Sequence, residues 1–275
     1  MTRAARAIID TRALQHNLQE IRKRAPASKI MAVVKANGYG HGIVPVAQAL
    51  QGADAFAVAC LAEALQIRNS GCANPILLLE GVFDAGELSI AARQGFEIVV
   101  HNTEQLNYLS EYSGTPLRVW LKMDTGMNRL GFKPEDYRAV WEKLQALNGV
   151  MKPVCLMSHF ANADIRDADF TRKQIKLFND VTAGLPGERS MANTAGILDW
   201  KESHLDWVRP GLGLFGASPF AGRTGGDEGL QAVMTVVSEL IAVKHITRGA
   251  GVGYGSTWSA PEDMPFGVAA FGYGD

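Results

Sequence analysis

Six short segments of this chain carry side chains that could do chemistry, and in five of them the reactive residue follows an apolar run. The first is Met31-Ala-Val-Val-Lys-Ala-Asn-Gly-Tyr-Gly-His41, where Lys35 stands as a buried run gives way to glycines. A lysine drawn out of water loses its proton more readily and can attack an aldehyde to form a Schiff base. On position alone, a strand-end lysine reaching solvent is the commoner case, because lysine is seldom buried unpaired. The glycines, which let a ligand approach the backbone, and the donors Tyr39 and His41 beside it shift the balance toward chemistry.

The other five segments each have a bland reading as well. Leu121-Lys-Met-Asp-Thr-Gly-Met-Asn-Arg-Leu-Gly-Phe132 offers Lys122 and Arg129, which in isolation are a solvated basic pair. In Met157-Ser-His-Phe-Ala-Asn-Ala-Asp164, His159 alone is more often a satisfied structural group than a catalyst. Met191-Ala-Asn-Thr-Ala-Gly196 puts Asn193 and Thr194 ahead of a predicted helix, as a cap or as a phosphate cradle. Trp207-Val-Arg-Pro-Gly-Leu-Gly-Leu-Phe-Gly216 contains Arg209 in what could be a plain strand-ending turn. Tyr254, in Gly251-Val-Gly-Tyr-Gly255, has the look of a turn or packing residue. The remaining histidines show no ligand spacing, and Cys60, Cys72 and Cys155 are an odd number at no metal-binding interval, so neither a metal site nor a disulfide framework is expected.

What must position these residues is a repeating strand and helix pattern. Eight apolar runs, at 30–34, 55–59, 76–79, 96–100, 117–121, 154–157, 189–192 and 207–209, alternate with amphipathic stretches such as 61–69, 103–112, 134–147 and 171–183. Continuous apolar runs imply strands covered on both faces, and the alternation implies parallel pairing. The count favours an α/β (β/α)8 TIM-type barrel over residues 1–230, with a doubly wound open sheet sharing much of the pattern. Near Leu230 the pattern changes: 233–243 alternates in part like a strand, glycines follow, and a last strand at 266–271 runs into Gly-Tyr-Gly-Asp. Residues 231–275 therefore read as a partial, mostly β C-terminal domain, too short to close a core of its own. With 27 basic and 28 acidic residues the formal net charge is -1, which gives no field for nucleic acid or an anionic membrane. No apolar run approaches the roughly 20 residues of a membrane span and the start lacks a signal-peptide core, so a cytoplasmic protein with a small-molecule partner is expected.

Taken together, Val-Val-Lys-Ala-Asn-Gly-Tyr-Gly-His and the segments around Arg129, His159, Asn193, Arg209 and Tyr254 resemble those of the alanine racemases, in family order from about Ile8 onward. The resemblance implies pyridoxal 5'-phosphate (PLP) as cofactor, held as a Schiff base on Lys35. It gives Tyr39, Asn193, Thr194, Gly211 and Leu212 to the cofactor phosphate, with Thr194 where the family commonly has serine. His159 comes to lie under the pyridine ring and Arg209 at its nitrogen. Because arginine does not surrender its proton, that pyridine stays largely unprotonated, which limits side reactions. Arg129 and Met127 fall to the substrate site, and Lys122 to a position often carbamylated in the family. Lys35 and Tyr254 become two bases on opposite faces of the α-carbon, Tyr254 being delivered by the partner of a homodimer. Tyrosine ordinarily titrates near pH 10, so a working tyrosinate calls for positive charge, which an Arg209–His159 network would supply. The implied function is interconversion of L- and D-alanine, the D-isomer serving peptidoglycan synthesis. A non-catalytic PLP-binding protein and a broad-specificity amino-acid racemase are the alternatives. Since the family continues beyond this sequence, weak PLP binding and slow turnover are expected of the chain alone.

Overall fold

The computed structural model describes residues 4–165 and 169–273. Residues 1–3, 166–168 and 274–275, which the sequence pattern assigns to its two domains, lie outside them. The chain divides into two compact units, one running from Asp10 to Val233 and the other made of the residues before Asp10 and those from Met234 onward.

The larger unit is a closed barrel of eight parallel strands. The first strand of the chain, β1 (Arg6–Ile9), is not part of it. The barrel is formed by β2 (Lys29–Val33), β3 (Ala55–Val58), β4 (Ile76–Leu78), β5 (Phe96–Val100), β6 (Val119–Lys122), β7 (Cys155–Met157), β8 (Arg189–Ser190) and β9 (Trp207–Val208), in chain order. It closes where Lys29 and Ile30 pair with Trp207 and Val208. Side chains alternate across a strand, so Met31, Val33, Ala57, Leu77, Val99, Cys155 and Met157 meet in one interior cluster. Ile30, Ala32 and Phe56, in the opposite phase, are also fully buried, which is why the strands read as unbroken apolar runs. Trp120 and Trp207 fill the lower interior edge to face, their ring centroids 6.1 Å apart. The helices between strands carry ordinary end signals: Asp10 accepts from the amides of Arg12 and Ala13 to open the helix Thr11–Arg24, whose last turn holds Arg22, Lys23 and Arg24.

In the smaller unit, β1 pairs antiparallel with β10 (Met234–Val237), β11 (Leu240–Ile246) with β14 (Met264–Ala269), and β12 (Gly251–Val252) with β13 (Trp258–Ser259). The sequence pattern runs the barrel domain from residue 1, whereas Arg6–Ile9 takes its backbone hydrogen bonds from β10 and so groups with the C-terminal residues. Leu240, Ile241 and Val243 are exposed on β11. Among the described residues no helix is long and apolar enough to cross a membrane.

Candidate active site

In a parallel barrel every strand ends on the same rim. The chain there encloses a cavity of about 490 Å³ lined by Lys35, Tyr39, Lys122, Arg129, His159, Asn193, Thr194, Arg209, Gly211 and Leu212, among others.

Lys35 and Tyr39 arrive on an unusual turn. Ala36, Asn37 and Tyr39 have φ of 52°, 56° and 52°, and with Gly38 they wind one left-handed turn directly after β2. Ala36 and Tyr39 in that conformation cost roughly 1–2 kcal/mol each, because the Cβ crowds the next carbonyl, while the short polar side chain of Asn37 eases it into that region. The turn is held by Gly40 N–H donating to Ala36 O (3.0 Å), Gly42 N–H to Asn37 O (2.9 Å) and Ile43 N–H to Asn37 Oδ1 (3.0 Å). It throws the Tyr39 ring onto Phe215, centroids 4.7 Å apart, and brings its hydroxyl against Gly211, where a Cβ would stand 2.2 Å from the phenolic oxygen. Glycine at 211 is thus required by the approach of Tyr39. Burial pushes the Tyr39 phenol above its usual range, so it remains a protonated donor.

Lys122 closes β6 and is buried. Burial first, then the charges of Arg209, Arg129 and Lys35, bring its pKa down to about 8. Arg129 sits on a loop closed on itself: Asp124 Oδ1 accepts from Gly126 and Asn128 N–H (2.9 and 3.1 Å), and Phe132 N–H donates to Lys122 O (2.9 Å).

Arg209 is the most tightly fixed charge of the cavity. It is buried, with Nη1 donating to Ser190 Oγ (2.6 Å) and Nη2 to Ser158 O (2.7 Å) and His159 Nδ1 (3.1 Å). A guanidinium can only donate, so Nδ1 must accept and His159 is neutral with its proton on Nε2. The surroundings agree, since burial and then the Arg209 charge hold the imidazole well below its usual pKa. The positive charge of this pair therefore resides on Arg209 alone. Burial lowers Arg209 to about 10, still protonated at neutral pH. Behind His159 runs a buried relay in which Gln174 Nε2 donates to Thr125 Oγ1 (3.0 Å) and to His159 O (3.3 Å), while Thr125 and Ser158 hydroxyls meet at 2.8 Å.

Asn193 caps the short helix Thr194–Asp199 through Gly196 N–H (3.0 Å), the plainer of its two sequence readings, and also lines the cavity. Thr194 Oγ1 accepts from the amides of Gly211 and Gly213, each at 3.2 Å, which leaves its own O–H free to donate. Leu212 opens a single 3-10 turn, so its amide has no acceptor within that turn.

Two residues named from the sequence do not line this cavity. Met127 is half-buried on the Asp124 loop, and Tyr254 belongs to the smaller unit, in the 3-10 turn Tyr254–Ser256, with its ring wholly exposed. Other participants escape sequence reasoning: Glu80 and Asp164 line the cavity, and Ser190 and Gln174 fix Arg209 and the His159 strand end. Gln174 does carry a signal, being, with Thr171, a polar member of the buried stripe Thr171, Gln174, Ile175, Phe178.

Residues 9–219 match the family model for the alanine racemase N-terminal domain, and residues 233–275 that for the alanine racemase C-terminal domain. The alanine racemase of Vibrio vulnificus is 52% identical over 274 residues, 99% of this chain and 76% of that protein. The biosynthetic alanine racemase of Escherichia coli is 51% identical with the same coverage. Among solved structures, the biosynthetic alanine racemase of Pseudomonas aeruginosa superposes with a TM-score of 0.95 at 40% identity, covering 100% of this chain and 77% of its own, and that of Acinetobacter baumannii with 0.93 at 41%. By sequence over nearly its whole length and by fold, this chain belongs to the alanine racemase family.

Proposed function

We propose that this chain is a PLP-dependent isomerase that interconverts L- and D-alanine. The observation that carries the reading is Arg209, a buried guanidinium locked onto a neutral His159 in a cavity that also holds Lys35, Lys122 and Arg129. Four cations against Glu80 and Asp164 suit a guest bearing a phosphate, a phenolate and, with substrate, a carboxylate. The Thr194 hydroxyl, the Leu212 amide and the close approach of Tyr39 to Gly211 suit the phosphate.

When bound, PLP supplies an aldehyde for the amino group and a conjugated ring that takes up the electron pair left when the α-proton departs. Lys35 would hold that aldehyde and exchange a proton with one face of the α-carbon. Tyr254, supplied by the partner subunit of a homodimer, would serve the other face. Arg209 would meet the ring nitrogen as a donor that keeps its proton, since even a value of about 10 lies far above neutrality. His159 would lie against the ring, Asn193, Thr194, Gly211, Leu212 and Tyr39 would hold the phosphate, and Arg129, with Met127 outside the cavity lining on the same loop, would border the substrate. Lys122, with a pKa of about 8, offers an appreciable share of neutral amine for addition to carbon dioxide, giving a carbamate and releasing a proton; the resulting anion would anchor Arg129. We assign the D-alanine to peptidoglycan precursor synthesis in the cytoplasm.

A non-catalytic PLP carrier would need neither Tyr254 nor residues 233–275, and the match of that segment to the racemase C-terminal domain favours catalysis. The test is incubation with L-alanine in deuterated water. D-alanine should appear with deuterium at Cα, and Lys35→Ala should lose both this conversion and the borohydride-fixed PLP adduct. An adduct retained in Lys35→Ala would move the anchor to another lysine, and no D-alanine from the parent chain would defeat the reading.

A further inference from the structure

The left-handed turn between Lys35 and Tyr39 is an arrangement that Ala36 and Tyr39 would not choose by themselves, since both sit at positive φ without the short polar side chain that eases Asn37 into that region. One acid outside the cavity lining reaches it. Glu63, in the helix Leu61–Asn69, accepts from Asn37 N–H through Oε1 (3.1 Å) and from Ala59 N–H through Oε2 (3.0 Å). Ala59 directly follows β3, the strand beside β2, so one carboxylate ties the middle of the strained turn to the rim of the neighbouring strand. Glu63 makes no ion pair among the described residues, and both its oxygens are spent on backbone amides. Charge-assisted bonds of this kind are stronger than neutral ones and fix direction as well as distance.

We infer that Glu63 is a positioning residue for the active site: it holds the 36–39 turn left-handed, and thereby keeps the Lys35 amine and the Tyr39 hydroxyl aimed into one cavity. The alternative conformation of the turn is right-handed, which would carry Tyr39 away from Gly211 and Phe215 while Lys35 stayed at its strand end. Release of Glu63 gives up two hydrogen bonds but also relieves the strain at Ala36 and Tyr39. The two effects offset in the free protein, so global stability should change little while cofactor binding suffers. A residue of merely structural importance would lower both in step.

The inference rests on the proposed PLP reading, and the experiment separates the two. Purified parent chain, Glu63→Ala, Glu63→Gln and the double variant Glu63→Ala with Ala36→Gly are titrated with PLP by absorbance and fixed with borohydride. Glu63→Ala should weaken PLP about 10- to 100-fold, roughly the worth of one charge-assisted bond once the relieved strain offsets the other. Glu63→Gln, which keeps one acceptor, should fall between. Ala36→Gly should restore about tenfold of the loss, because glycine enters the left-handed region without the Cβ penalty. The thermal midpoint of the cofactor-free chains should move little. Equal PLP affinity in Glu63→Ala, or a loss that Ala36→Gly leaves untouched, would overturn the inference. Backbone NMR shifts of residues 36–39 in the cofactor-free chains give a second, independent readout: they should leave left-handed values in Glu63→Ala and return in the double variant. Those shifts decide the role of Glu63 even if the parent chain takes up no PLP, an outcome that would sink the functional reading alone.

Discussion

The two ends of the barrel handle charge in opposite ways. At the end where strands begin, Arg118 bonds to Glu188 and lies 3.5 Å from Glu97, Lys29 reaches Glu188 at 2.7 Å, and the indoles of Trp120 and Trp207 donate to Glu97 (2.6 Å) and Glu188 (2.8 Å). Each of these charges has a protein partner. Where the strands end, Lys35, Lys122, Arg129 and Arg209 share one cavity, and none of them makes an ion pair among the described residues. The same strands thus carry a settled end and a poised one. Among the described residues the poised end pairs none of these cations with a carboxylate, although Glu80 and Asp164 line the same cavity, and burial depresses both Lys122 and Arg209. The settled end is where stability is gained, and the poised end is where an anionic guest can supply it.

The contrast breaks first at Lys122. Its pKa of about 8 lies below the ordinary 10.5, so between those values the unfolded chain binds the proton that the folded chain has shed. Stability attributable to this group therefore rises with pH across that window, and the full penalty is present below about pH 8. A gap of this size corresponds to about 3 kcal/mol. Lys122→Met, which keeps the length and drops the charge, should stabilise the cofactor-free chain by about that amount at pH 7 in carbon-dioxide-depleted buffer, with the advantage shrinking toward about pH 10. Urea unfolding at the two pH values measures it. A destabilised variant at pH 7 would mean that the charged lysine is compensated, and the contrast between the ends would fail.

At the settled end the matching change has the opposite sign. Burial raises the Glu188 carboxyl, but Lys29, Trp207 and Arg118 outweigh it and hold the group below its usual range. A depressed carboxylate contributes stability above its unfolded pKa and loses it as pH falls through the folded value. Glu188→Gln should therefore destabilise by about 1.5–3 kcal/mol at pH 7, the range for hydrogen bonds to a charged group, with the difference fading in acid. A variant as stable as the parent at pH 7 would show that this end is no more settled than the other.

How far these features are legible follows from their range in sequence. The barrel strands announce themselves because each is buried on both faces, so local apolarity suffices. The Arg6–Ile9 strand does not, because its partner is Met234–Val237 and nothing local marks the pairing. Lys35 and Arg209 are visible as charged residues where an apolar run meets glycine. Their supports are not: Ser190 meets Arg209, and Glu63 meets Asn37, only after the barrel closes. The left-handed turn is half legible. Gly38 and Gly40, with Asn37 beside them, advertise positive φ, but Ala36 and Tyr39 hold it against their own preference, which no local rule anticipates. Tyr254 is readable through the family resemblance alone, since an exposed tyrosine between glycines has no local signature of chemistry.

The smallest expected effect tests how much of the settled end is long-range charge and how much is packing. Lys29 stands at the start of β2 with its side chain about half exposed, 2.7 Å from Glu188 and 5.1 Å from the centre of the Trp207 ring. Solvent screens such a pair, and an exposed ion pair of this kind contributes at most about 1 kcal/mol. Salt weakens it further, whereas the contact of its methylenes and ammonium with the indole survives salt better, being short-range. Lys29→Ala should therefore destabilise by about 0.5–1 kcal/mol at low ionic strength and by less in about 0.5 M salt, read from paired urea curves. A loss above about 2 kcal/mol that ignored salt would place the stability of this end in the Trp207 contact, and the distinction between a paired end and an unpaired one would become a distinction of packing rather than of charge.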